Sequence, residues 1–93
     1  MKGVHIDEKV DSYVLVFEMP GVREQDVIIK TENGSVNVIA STATVKTDTE
    51  EKKIKIDSVY YDKTVVLDEN LDFKSMKHIF FAGFLEIRIP KKE

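Results

Sequence analysis

The chain has 93 residues, 14 of them basic and 17 acidic, for a net charge of −3, and no cysteine. That length gives one domain with a modest core, for which self-association is a natural supplement. Interspersed charges leave no basic stripe for nucleic acid, and the lack of thiols excludes a disulfide framework, zinc–thiolate sites and thiol catalysis.

The first ten residues, "MKGVHIDEKV", hold His5 and read as a flexible start. They lack the apolar centre of a secretory signal, and no apolar run reaches the roughly 18 residues of a membrane helix. A cytoplasmic setting is expected. "YVLVF" (Tyr13 to Phe17) is apolar on both faces, as befits a strand covered on both sides. Pro20 then fixes φ and forfeits an amide donor, which ends that strand. Gly21 permits a bend closed to other residues. The solvated "REQD" is long enough to carry the chain to another layer.

"VIIKTE" and "SVNVIA" flank Asn33-Gly34, the dipeptide best suited to the positive φ values of a type I′ hairpin. "NGS" also matches a glycosylation acceptor, but without a secretory signal the turn is the better reading. Residues 41–53 are polar and threonine-rich and read as an exposed loop. Beyond it, "KIKID" sets Ile54 and Ile56 against Lys55 and Asp57 as a strand near residues 53–57. In one sandwich this is a poor edge strand, and exposed edges are aggregation hazards. It is either an ordinary charged edge or a strand that pairs with another copy to make a symmetric dimer.

"TVVL" is again apolar on both faces. Residues 68–79 read as an irregular link into a strand near residues 76–81, a helical turn being the alternative. "FLEIRIP" alternates cleanly, with Leu85, Ile87 and Ile89 facing away from Glu86 and Arg88. About seven to nine short strands with no helix of ten residues define an all-β, antiparallel immunoglobulin-like sandwich, a single domain over residues 1–93.

No chemistry-bearing constellation appears. His5 and His78 are the two histidines, and His78, inside an apolar run, reads as a packed residue. Metal-ligand spacings, nucleophile elbows and phosphate-binding loops are missing from the sequence, so catalytic, metal and cofactor sites are not expected. Carboxylate pairs such as Glu50-Glu51 sit in solvated surroundings. The chain does not read as an enzyme.

Two motifs carry a resemblance. Tyr13, Glu18, Met19, Pro20, Gly21, Val22, Asp26 and Val27 form one, and "GFLEIRIPK", which contains Gly83, Leu85 and Pro90, forms the other. In that order and at that separation they resemble the α-crystallin domain of small heat-shock proteins of the bacterial, archaeal and plant type. The likeness runs from about His5 to Lys92. It implies an ATP-independent chaperone that dimerises, builds larger homo-oligomers and holds partly unfolded client proteins, with neither nucleic acid nor membrane as partner. It also implies that the long loop carries an exchanged strand, setting Ile54 and Ile56 against a partner's edge near Tyr13 and Leu15.

By the same resemblance, a groove between "SVNVIA" and "SMKHIFF" receives a client segment or an I-x-I tail. Its candidate lining is Val36, Val38, Ile79 and Phe81; alternatively all four belong to the sandwich core. Three positions depart from the family pattern: His78 where Ala is common, Leu67-Asp68 where Leu-Pro is common, and Lys63 where an Arg is common. Family members also carry an N-terminal arm and a C-terminal I-x-I tail that this chain does not show, so an excised domain is expected. The second resemblance is to CS domains, co-chaperone adaptors that bind one folded partner and lack the long excursion.

Overall fold

The computed structural model describes residues 3–92. Among these residues seven strands run in chain order: β1 (Gly3–Glu8), β2 (Ser12–Glu18), β3 (Val27–Glu32), β4 (Ser35–Asp48), β5 (Lys53–Val66), β6 (Lys77–Phe81) and β7 (Phe84–Pro90). They form two antiparallel sheets, β1-β2-β7-β6 and β3-β4-β5. The all-β sandwich read from the alternation is the observed fold.

Period-two alternation explains the core. Leu85, Ile87 and Ile89 are fully buried, packed with Leu15 and Phe17 of the same sheet and with Val36, Val38 and Ala40 of the other. "YVLVF" is mostly covered on both faces, as expected. "TVVL" is not: Val65 is buried but Val66 faces outward and is exposed, because β5 borders its sheet and nothing covers its outer side.

The Pro-Gly corner is a type II turn. Val22 N–H donates to the Met19 carbonyl at 3.2 Å, and Gly21 takes φ 86°, the value position i+2 demands. The Tyr61 hydroxyl, on the opposite sheet, donates to the Pro20 carbonyl at 3.0 Å. Met19 and Val22 are both buried, so the bend is anchored from both layers. The chain leaves β2 in one sheet and enters β3 in the other, which is the layer change inferred from "REQD".

Asn33 (φ 48°) and Gly34 (φ 81°) close β3–β4 as the expected type I′ turn. A second such turn, Ala82 (φ 51°) and Gly83 (φ 83°), closes β6–β7; its Ala-Gly dipeptide gives a weaker sequence signal than Asn-Gly.

Three segments differ from expectation. Residues 41–53 are not a loop: β4 continues to Asp48, and β5 begins at Lys53 and pairs back in register, with Val45 opposite Ile56 and Thr47 opposite Ile54. Asp48 Oδ1 caps the tip by accepting from the Glu50 and Glu51 amides at 3.0 and 3.2 Å. This arm makes the molecule 62 × 22 × 20 Å, with a radius of gyration of 16.5 Å, against about 12 Å for a rounded chain of this length. Threonines disguised it, since they suit a β-ribbon as readily as a solvated loop.

The expected flexible start is the edge strand β1, paired with β2 and tied down by Lys91 Nζ donating to Glu8 at 2.8 Å; Met1 and Lys2 lie outside the described residues. In the link through residues 68–79, Phe73–Ser75 forms a 3-10 turn before β6. A short helical turn and a strand therefore share that segment.

Candidate functional site

Each sheet ends in strands bonded on one side only. β1 and β6 border the first sheet, and β3 and β5 border the second. β3 and β6 meet at one rim of the sandwich, where a cleft of about 190 Å³ is lined by Glu24, Val27, Ile29, His78, Phe80 and Leu85. Val27, Ile29 and Phe80 are partly buried against the core and give the cleft an apolar floor, with Glu24 and His78 as its polar members. The unpaired backbones of two edge strands flank it. Such a site can accept an extended segment by strand addition with apolar burial.

The expected groove residues are not gathered here. Val36 and Val38 are core residues with 0% and 1% exposure, and β4 lies in the middle of its sheet, away from any rim. Ile79 and Phe81 point to the outer face of the other sheet, with 64% and 79% exposure. The parity was encoded in the turn. A two-residue hairpin sets Lys30 opposite Asn37 and Ile29 opposite Val38, and the polar pair belongs outside. The rim cleft is lined instead by Val27 and Ile29 of β3, the inward-facing His78 and Phe80 of β6, Leu85 and Glu24.

The arm has two unlike faces. Alternation places Val45, Ile54, Ile56 and Tyr60 on one side, each more than 60% exposed. Lys46, Lys53, Lys55 and Asp57 lie on the other, with Lys46 and Lys55 within 4.0 and 3.9 Å of Asp57. Tyr13 and Leu15 do not form a free edge. β2 lies between β1 and β7 with both ladders made, Leu15 is in the core, and the Tyr13 ring sits beneath Lys91 Nζ at 5.2 Å. The open border on that side is β1.

The corner holds a dense, part-buried polar cluster. Thr42, 4% exposed, accepts from the Arg23 amide at 3.3 Å and donates to Asp26 Oδ2 at 2.8 Å. Arg23 Nε donates to the same oxygen at 2.8 Å. The Thr42 hydroxyl, and then the Arg23 guanidinium, hold the Asp26 carboxyl below the ordinary carboxylate value. Asp26, Pro20 and Gly21 thus serve the architecture. So do Leu85 in the core, Gly83, whose carbonyl accepts from Met19 N–H at 2.7 Å, and Pro90, whose carbonyl accepts from Asp72 N–H at 2.9 Å. Among the described residues no group of three or more His, Cys, Asp or Glu is placed to hold a metal, and no helix is long and apolar enough to cross a membrane.

Comparison with known proteins agrees with this architecture. The sequence profile of the Hsp20/alpha crystallin family matches residues 5–93. Among solved structures, heat shock protein 16.0 from Schizosaccharomyces pombe superposes with a TM-score of 0.80 at 19% identity, over 98% of this chain and 73% of that one. A small heat-shock protein from Xylella fastidiosa gives 0.74 at 23% identity, over 98% and 85%. The hspA protein of Xanthomonas axonopodis gives 0.72 at 21% identity, over 97% and 92%. A search among curated proteins finds no match.

Proposed function

Because the chain belongs to the Hsp20/alpha crystallin family, we propose that it works as an ATP-independent holdase, capturing apolar segments of partly unfolded proteins at the β3–β6 rim. The observation that carries this reading is the cleft, apolar at its floor and bordered by Glu24 and His78, between two edge strands whose outer backbones are unpaired. An unfolding protein exposes the complement: apolar side chains on strands that have lost their neighbours. Covering roughly 200 Å² of apolar surface at about 25 cal/mol per Å² gives about 5 kcal/mol before ordering costs. That suits reversible capture, and no cofactor or bond-making step is required. A cytoplasmic setting is part of the same reading.

The functional unit in this reading is a homodimer, the building block of larger homo-oligomers. The arm of one copy reaches over its partner, lays the free edge of β5 along the partner's open β1 border and covers Ile54 and Ile56. The support is the arm's solvent-facing apolar side, which a lone chain leaves unused. This revises the expected Tyr13–Leu15 border to β1.

Heating several unrelated client proteins with and without the chain, in the absence of nucleotide, tests the holdase reading. Suppressed light scattering for several clients, reduced in Ile29→Ser when assayed below that variant's own lowered melting transition, is the expected result. Failure to protect any client, together with tight binding to one folded protein, would favour the adaptor alternative.

A further inference from the structure

The outer side of β6 carries a second apolar surface that the cleft does not use. Ile79 and Phe81 point outward, Phe84 lies directly across the ladder from Phe81, and the three are 64%, 79% and 49% exposed. Together they present about 300–400 Å² of apolar ledge. This is less than half of the ~800 Å² per partner of a stable folded interface, and it is enough for one short segment. One row away, Lys77 and Arg88 face each other across the same ladder. Like charges directly opposite destabilise a sheet, and among the described residues neither cation has an acidic side chain within ion-pair distance. With His78, Ile79 and Glu86, the last a carboxylate directly opposite Ile79, they line a hollow of about 290 Å³.

We infer that an extended segment added along the free edge of β6 is read on both of its faces. The inference rests on the holdase reading and specifies its substrate class: an uninterrupted apolar run of four residues followed by Asp or Glu. Antiparallel addition, the arrangement of every pairing in this sheet, determines the order. Residues opposite Phe81 and Ile79 lie on the ledge, and those opposite Phe80 and His78 enter the cleft. The residue opposite Lys77 brings its carboxylate to the paired cations. Alternating apolar and polar residues would fill the cleft and leave the ledge wet. Continuous apolar runs belong to strands that were buried on both faces before a client unfolded, so the site selects former central strands.

Fluorescence anisotropy with three labelled peptides tests this on the intact chain. One carries four consecutive apolar residues and a C-terminal-side Asp, one alternates the same apolar residues with Ser, and one replaces the Asp by Lys. The first is expected to bind at least about tenfold more tightly than the other two. Ile79→Thr with Phe81→Ser should erase the advantage over the alternating peptide while leaving the latter's affinity unchanged. Lys77→Glu should invert the Asp–Lys preference. Equal affinity for all three peptides overturns the two-faced reading and leaves the cleft intact, whereas no binding of any peptide removes the cleft reading itself. A fall in sedimenting mass on the ledge substitutions would assign the ledge to a second copy and overturn the proposal.

Discussion

Thr42 and Asp26 are joined by a 2.8 Å hydrogen bond that ties the Pro-Gly crossing to the middle strand of the second sheet. The threonine hydroxyl also accepts from the Arg23 amide, so one buried oxygen fastens both ends of "REQD". Thr42→Val keeps the shape and removes both bonds, and is expected to cost about 1–3 kcal/mol in urea unfolding. Thr42→Ser retains the hydroxyl and should lose much less. Equal losses for the two variants would show that packing, not the bond, matters there.

Acid should weaken the fold through two carboxyls. Asp26 is held low mainly by Thr42, and Glu8 mainly by the Lys91 hydrogen bond. Each folded value lies below its unfolded one, so the stabilisation is complete above about pH 4 to 4.5 and fades as pH falls towards the folded values. Denaturant midpoints measured between pH 7 and pH 3 should fall more steeply for the wild type than for Asp26→Asn or Glu8→Gln. Parallel curves would refute the assignment.

Ala82 occupies the left-handed region at φ 51°, which costs an L-residue about 1–2 kcal/mol. Ala82→Asn should relieve part of that strain. A gain of about 1 kcal/mol, or about 4–8 °C in melting temperature, is expected from calorimetry. An unchanged midpoint would mean the turn relaxes without help.

The exchanged arm makes its own prediction. Ile54→Asp with Ile56→Asp alters side chains that face solvent in the single chain, so the strand content seen by circular dichroism should persist. Sedimentation should nonetheless show a lower mass than the wild type. An unchanged mass would refute arm exchange.

The legible parts of the fold were those with one dry and one wet face. "FLEIRIP" declared its inward set because Glu86 and Arg88 alternate with three aliphatic residues. Pro20-Gly21 and Asn33-Gly34 declared their turns because few other residues adopt those φ values. Two things stayed hidden for a common reason. β1 alternates only Val4 and Ile6 with His5 and Asp7, and the arm strand at residues 41–48 has Val45 as its one large apolar residue, so in each the contrast between faces is too short to read. Their strand character comes from the ladder each makes with the strand that follows it, β2 for β1 and β5 for the arm. The expected cleft lining errs in two ways: it takes core residues of the central strand β4 in place of rim residues of β3, and on β6 it takes the outward Ile79 and Phe81 in place of His78 and Phe80.

The arm also bears on how the molecule responds to warming. Among the described residues its tip pairs with its own opposite strand alone, whereas Leu85, Ile87 and Ile89 are fully buried. Segments with few buried contacts open at a small fraction of the global free energy. Amides near Val45 should therefore exchange with deuterium long before those of Val38, and spectroscopic probes at the two places should report different transition temperatures. The arm opens locally well below the global transition, while the centre stays ordered until the domain unfolds as a whole.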